Sequence, residues 1–211
     1  MRMKKSQVIE IVKQTKIIPV IRTASADAAK IIIRALIEGG INVLEVTMTV
    51  PRAADLIAEL TAEYKNKAII GAGTVLDAAT AEKCVAAGAK FIVSPICDSE
   101  TVAFCHRNET VAMSGALTPN EIFAASRAGA DLVKVFPASA MSGGAAYIKA
   151  VKAVFPDIEM IPTGGIEIAN AVEYLKAGAC AVGMGGELTR GEASNIVAAA
   201  RRLQNEIGKV K

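Results

Sequence analysis

Ala128-Gly129-Ala130-Asp131-Leu132-Val133-Lys134-Val135-Phe136-Pro137 is the stretch that decides how this chain folds. Its first three residues read as a helix closing on a left-handed glycine. The run from Leu132 to Phe136 reads as a short buried strand. Together they make half of a βα repeat, and the same half recurs along the chain. Glu38-Gly39-Gly40, Ala87-Gly88-Ala89 and Ala177-Gly178-Ala179 are matching helix stops, each just before a β-branched run. The strands expected from such runs are Ile17–Arg22, Val43–Met48, Ala68–Gly73, Phe91–Ser94, Val111–Ser114, Leu132–Phe136, Ile158–Pro162 and Ala181–Met184. Helical stretches start near Ala26, Arg52, Ala78, Ser99, Pro119, Gly144, Ile168 and Asn195. Alternation of this kind means parallel strands joined by crossover helices. An open doubly wound sheet also alternates, but eight units within 211 residues favour a closed (β/α)8 TIM barrel. The chain is expected to be one barrel domain over residues 1–211, with Lys4–Gln14 as an extra helix across the barrel bottom.

Composition agrees with a large buried core. Hydrophobic residues make up 52% of the chain and charged residues 21%, which argues against disorder. Aromatics are only 4% and Trp is absent, so Ala, Ile, Val and Leu must fill the interior, as suits a parallel sheet covered on both faces. The net charge of +3 is mild. The only basic cluster, Arg2, Lys4 and Lys5, has no interleaved aromatics, so nucleic acid is not an expected partner. Four cysteines, none in CxxC spacing, and a single histidine argue against a structural zinc site and for a reducing cytoplasm. No apolar run approaches the roughly 18 residues needed to span a membrane.

Barrel chemistry sits at the C-terminal ends of the strands. The polar residues expected there are Arg22, Glu45, Thr47, Thr49, Thr74, Ser94, Ser114, Lys134 and Thr163. In Leu132-Val133-Lys134-Val135-Phe136, alternation sets Lys134 opposite Val133 and Val135. If those valines pack on helices, Lys134 points into the lumen, where partial desolvation favours the free amine that attacks carbonyls. The plainer alternative is a lysine snorkelling to the rim or paired with an acid. Glu45 shares one face with Thr47 and Thr49 and is the natural partner across the lumen. It is either half of a structural ion pair or a general acid/base. Thr163-Gly164-Gly165 and Gly183-Met184-Gly185-Gly186 place glycine turns after strands 7 and 8, where barrels often bind anions through backbone amides. Tight turns alone would explain them too. Gly71-Ala72-Gly73-Thr74 brings backbone close to a ligand, or is a plain strand-to-helix turn. His106 is expected in the helix before strand 5, at the outer or bottom surface and away from chemistry.

These stretches resemble the 2-keto-3-deoxy-6-phosphogluconate and 4-hydroxy-2-oxoglutarate aldolases. The resemblance rests on Ile18-Pro19-Val20-Ile21-Arg22, Leu44-Glu45-Val46-Thr47, Gly71-Ala72-Gly73-Thr74-Val75, Phe91-Ile92-Val93-Ser94-Pro95, Lys134-Val135-Phe136-Pro137 and Pro162-Thr163-Gly164-Gly165. It implies a class I, Schiff-base aldolase that needs neither cofactor nor metal and cleaves a 2-keto-4-hydroxy acid to pyruvate and an aldehyde. It implies Lys134 as the imine lysine, Glu45 as acid/base, Thr74 at the carboxylate and Gly164-Gly165 at the phosphate. Pro95 and Phe136, with Thr163, Gly185 and Gly186, complete the substrate-contacting set. A homotrimer is also implied.

Two departures stand out. Many members of that family carry an arginine at the position of Thr49, where it grips the pyruvate carboxylate. Arg22 is the cation best placed to replace it, and Arg52 is second. Many also have a serine where Gly186 stands, and here Glu187 follows, which would repel a phosphate if it faced the site. Two other readings stay open on the residues alone. One is a phosphosugar isomerase or epimerase using Glu45 as a simple base. The other is a non-catalytic, phosphate-binding barrel.

Overall fold

The computed structural model describes residues 3–65 and 67–209, so Arg2 of the expected basic cluster lies outside the described residues. Eight parallel strands alternate with helices: β1 (Ile17–Ile21), β2 (Val43–Thr47), β3 (Ile69–Gly73), β4 (Phe91–Val93), β5 (Val111–Ala116), β6 (Leu132–Val135), β7 (Met160–Pro162) and β8 (Val182–Met184). The helices are α1 (Lys5–Thr15), α2 (Ala26–Glu38), α3 (Ala53–Tyr64), α4 (Ala78–Ala86), α5 (Ser99–Arg107), α6 (Pro119–Arg127), α7 (Ala145–Val154), α8 (Ile168–Lys176) and α9 (Ala193–Gly208). Single 3-10 turns at Ala138–Ala140 and Gly186–Leu188 interrupt the loops after β6 and β8.

The strands run in the order β7-β6-β5-β4-β3-β2-β1-β8. The two ends of that sheet meet through a parallel bridge between Thr163 and Gly183 and a bond from the Cys180 amide to the Met160 carbonyl (3.0 Å), closing the ring. The expected (β/α)8 barrel with an added N-terminal helix is the observed architecture.

Alternation along the strands builds two separate cores. Ile18, Val43, Ile69, Phe91, Val93, Val111, Met113, Leu132 and Ile161 point inward and pack with Val8 and Val12 of α1, which plugs the barrel bottom. Ion pairs from Lys5 to Asp131 (2.9 Å) and from Lys13 to Glu159 (2.6 Å) pin that plug to the turns before β6 and β7. The opposite faces, including Leu44, Val46, Ile70, Ala72, Ile92, Val133 and Val135, pack against the ring of helices. Strand residues are thus apolar on both sides, as a parallel sheet requires.

Helix ends obey local chemistry. Ser25, Asp77, Asp98 and Thr118 cap α2, α4, α5 and α6, each accepting from the amide three residues on. Such a cap contributes about 1 kcal/mol. The four expected glycine stops, Gly40, Gly88, Gly129 and Gly178, all have left-handed φ between 92° and 103°.

Several boundaries differ from expectation. β1 stops at Ile21 and β2 at Thr47, so Arg22 and Thr49 sit on turns beyond the strands. β5 continues through Gly115 to Ala116 because those residues pair with Lys134 and Val135. β7 starts at Met160 because the Ile158 amide closes a turn on Phe155 (3.2 Å).

Candidate active site

Lys134 stands on β6 between Gly115 of β5 and Ile161 of β7. Glu45 stands on β2 between Val20 of β1 and Gly71 of β3. Their side chains meet across the upper lumen, Nζ to Oε1 3.8 Å, with 7% and 3% of their surfaces exposed. That separation is an ion pair but too long for a hydrogen bond. Glu45 Oε1 is the single fully buried side-chain polar atom among the described residues without a hydrogen-bond partner. Leaving such a group unmet costs about 1–3 kcal/mol. Burial pushes the Glu45 carboxyl above the ordinary carboxylate range, and the charges of Lys134 and Arg22 pull it partly back. The Phe136 ring lies 5.2 Å from Lys134 Nζ and shields the amine at the mouth.

Small residues make room for this pair. A Cβ on Gly73 would lie 1.9 Å from Glu45 Oε1, so only glycine lets the carboxylate lie against β3. Gly73→Ala is therefore expected to displace Glu45. A shift of about 1 Å at a reacting group lowers turnover by about a hundredfold. Steady-state kinetics with an unchanged far-ultraviolet spectrum would confirm this, and near-normal turnover would contradict it. On the other side of the lumen, a Cβ on Gly183 would collide with Thr163 Oγ1 at 2.3 Å, so Thr163 likewise fills space ceded by its neighbour.

The rim carries the hydroxyls and one cation. Arg22 Nη2 donates to Thr74 Oγ1 (3.3 Å). Thr74 holds a left-handed φ of 59°, a strained conformation for a β-branched residue costing about 1–3 kcal/mol. Backbone bonds from Met48 to Gly73 (2.7 Å) and from Val75 to Val93 (3.2 Å) keep it there. Thr47 Oγ1 donates to the Ile21 carbonyl (3.1 Å) and lies 2.7 Å from Thr49 Oγ1. Arg52 is spent elsewhere, on Asp55 at 2.9 Å on the outer surface.

Ser94 and Ser114 do not join the site. Phe91, Val93, Val111 and Met113 point inward, so these serines fall on the other face, in a small cleft with Asp98, Thr101 and Cys105 of α5. Their position along the strands points to the mouth, and the parity of β4 and β5 decides otherwise. His106 is at the bottom, as expected, with its ring nitrogens 3.1 Å from Lys5 Nζ and 2.6 Å from the Gly129 carbonyl.

Pro95 crosses over Gly115, close enough that a Cβ there would clash with its carbonyl carbon at 2.1 Å. With Phe136 and Leu117 it lines a cleft of about 280 Å3 beside the mouth. A cavity of about 610 Å3 opens at the opposite end near Gln7, Lys65 and Lys90, and no acid is among the described residues that line it.

Beyond β7, Gly164 and Gly165 take left-handed φ of 91° and 76°. The loop after β6 folds onto this turn, the Ala138 and Ser139 amides donating to the Thr163 (2.8 Å) and Gly164 (3.0 Å) carbonyls. No sequence signal pointed to that stitching. Glu187 turns away from the lumen: its Oε2 accepts from the Ile168 amide (2.8 Å) and its Oε1 pairs with Arg202 (3.2 Å).

A buried lysine and carboxylate facing each other at the C-terminal mouth of a (β/α)8 barrel are groups that carbonyl and proton-transfer chemistry can use. A sequence model of the KDPG and KHG aldolases matches residues 8–201, and the chain belongs to that family of lyases. It is 36% identical over 168 residues to the 2-dehydro-3-deoxy-phosphogluconate aldolase of Treponema pallidum, covering 80% of this chain and 79% of that one. It is 34% identical over 180 residues to the 2-dehydro-3-deoxy-6-phosphogalactonate aldolase of Escherichia coli, covering 84% and 87%. Among solved structures, the KDPG aldolase of Legionella pneumophila, with pyruvate captured at low pH as a covalent carbinolamine intermediate, superposes with a TM-score of 0.80 at 30% identity, covering all of both chains.

No helix of the described residues is long and apolar enough to cross a membrane.

Proposed function

We propose that the chain cleaves 2-keto-4-hydroxy acids to pyruvate and an aldehyde through an imine on Lys134, with Glu45 moving the protons. The observation that carries this reading is the buried Lys134–Glu45 pair, 3.8 Å apart, whose facing carboxylate oxygen, Oε1, has no hydrogen-bond partner. A carboxylate oxygen left without a hydrogen bond beside an amine supports a role in exchanging protons with a bound molecule.

The steps follow from the pair. Glu45 takes the proton that Lys134 must lose, and the free amine attacks the C2 carbonyl carbon to form the N–C2 bond. The nitrogen's surplus proton moves to the carbonyl oxygen, giving a carbinolamine. Glu45 then protonates the hydroxyl, which leaves as water, and a protonated imine remains. Glu45, again a carboxylate, accepts the proton of the C4 hydroxyl. The C3–C4 bond breaks, its electron pair flows into the imine as an enamine, and the aldehyde departs. Glu45 returns its proton to C3, and water releases pyruvate and regenerates the amine. A base whose pKa is raised toward neutrality by burial suits a group that must both accept and donate.

The pyruvate carboxylate is assigned to Thr74 and Arg22, which already contact each other at 3.3 Å. Thr49 adds a hydroxyl but no charge. A charge-assisted bond contributes about 1.5–3 kcal/mol, so Arg22→Ala is expected to raise the KM for pyruvate in the aldol direction about ten- to hundredfold. Adding Thr49→Arg to that variant should recover part of the loss. If Arg22→Ala moves only the pH profile and leaves pyruvate affinity untouched, Arg22 tunes Glu45 and does not bind substrate.

Pro95 and Phe136 wall the C4 side, and Thr163, Gly164, Gly165, Gly185 and Gly186 take the aldehyde end. The substrates proposed are 2-dehydro-3-deoxy-6-phosphogluconate and 4-hydroxy-2-oxoglutarate, yielding glyceraldehyde 3-phosphate or glyoxylate. Pyruvate release from each, coupled to lactate dehydrogenase, tests this directly. Release from at least one supports the reading. Release from neither, with interconversion of a ketose and aldose phosphate instead, would overturn it in favour of an isomerase.

A further inference from the structure

The far end of the mouth is formed by two glycine-rich turns, after β7 and after β8, that come from separate stretches of chain. The first is anchored on one side, through the Ala138 and Ser139 amides, to the loop that follows Lys134. The second is anchored at one end by Leu188, fully buried in the core, and is open at Gly186. Gly186 carries a left-handed φ of 46°, and a Cβ built there meets nothing within 4 Å, so no packing fixes the turn at that point. Its own backbone bonds, Leu188 to Gly185 (3.1 Å) and Thr189 to Gly186 (3.1 Å), are internal to the turn.

Glu187 supplies an external tie. It follows Gly186 directly, and its Oε2 accepts a 2.8 Å bond from the amide of Ile168, the first residue of α8 and three beyond Gly165. Amides at a helix start have no partner within the helix, and a carboxylate there also meets the positive end of the helix dipole. The other oxygen pairs with Arg202 of α9 at 3.2 Å. That outer pair is exposed, 61% for Arg202 and 43% for Glu187, so its own stabilisation is small and its effect is to aim the carboxylate.

We propose that Glu187 is a positioning residue for substrate selection: it locks the turn after β8 to the turn after β7 and so keeps the aldehyde end of the substrate in register with Lys134 and Glu45. The chain of contacts is continuous. It runs from β6 through the loop at Ala138–Ala140 to the β7 turn, then to the start of α8, then through Glu187 to Gly186. The inference rests on the aldolase reading above, and the test separates the two.

Two rates are measured on the same protein. Exchange of the pyruvate C3 protons with deuterated water needs Lys134 and Glu45 but no aldehyde end. Cleavage of the full keto acid needs both. Glu187→Ala is expected to leave exchange within about twofold of the unmutated rate and to raise the KM for the keto acid about tenfold. Glu187→Gln keeps an oxygen that can accept from Ile168 and should restore most of that affinity, which also guards against Glu187→Ala failing to fold. An unchanged keto-acid KM in Glu187→Ala, exchange and cleavage falling together, or no recovery in Glu187→Gln each overturns the assignment. Absence of exchange in the unmutated protein instead defeats the aldolase reading itself.

Discussion

Lys134→Met is expected to abolish adduct formation with pyruvate and to lower turnover by at least about four orders of magnitude, because Lys134 is the one buried lysine among the described residues. Methionine matches lysine in length and flexibility and fits a site walled by Phe136 and Ile161. The fold is therefore expected to survive, with one electrostatic consequence. Glu45 is buried, and its pKa is already raised by desolvation, with Lys134 the larger of the two charges pulling it back. Removing that cation raises it further. A carboxyl whose folded pKa exceeds its unfolded value favours the folded state at low pH and loses that advantage as pH rises through the folded pKa. Lys134→Met should therefore melt closer to the unmutated protein at pH 5 than at pH 8. Residual cleavage above background, or a stability gap that widens as pH falls, would contradict this account of the pair.

Glu45→Gln keeps the size of the side chain and removes its ability to carry a proton. Turnover is expected to fall by about two to four orders of magnitude, the usual contribution of a positioned acid/base. The imine should still form, slowly, since Lys134 remains. The pH profile carries a second signature. Burial holds Glu45 above the ordinary carboxylate range, so the acidic limb of kcat/KM in the unmutated enzyme should lie above that range as well. In Glu45→Gln that limb should vanish from whatever rate is left. Near-normal turnover in this variant would make Glu45 a structural partner of Lys134 and nothing more.

What could be read from the sequence follows from periodicity. Alternation within Leu132-Val133-Lys134-Val135 and Val43-Leu44-Glu45-Val46-Thr47 is enough to turn Lys134 and Glu45 to the same interior, and the structure has them 3.8 Å apart. Left-handed glycines ending α2, α4, α6 and α8 were legible because few other residues adopt that conformation readily. Ser94 and Ser114 were misplaced because nearness to a strand end says nothing of which face a residue takes. The two strands involved put odd-numbered residues inside, and both serines are even. The strand ends expected at Arg22 and Met48 each run one residue too far, because β propensity does not register where pairing stops. The direction of Glu187 was not legible at all. Its partners, Ile168 and Arg202, lie on α8 and α9, and no local pattern announces a side chain that reaches backward to cap another helix.

The barrel divides its labour along its axis. The lower lumen is filled by Phe91, Leu132, Ile161 and the valines of α1. The upper lumen carries the strained Thr74 and the unmet oxygen of Glu45, each of which costs stability. A well-packed base supports both, as expected where strain and unsatisfied groups gather at sites of chemistry.

Trapping tests the central claim most directly. The protein is incubated with pyruvate, reduced with borohydride, digested and mapped by mass spectrometry. The account predicts one reduced pyruvyl adduct, on the peptide containing Lys134, and none in Lys134→Met. An adduct on another lysine, or no adduct in a protein that still cleaves keto acids, would contradict it.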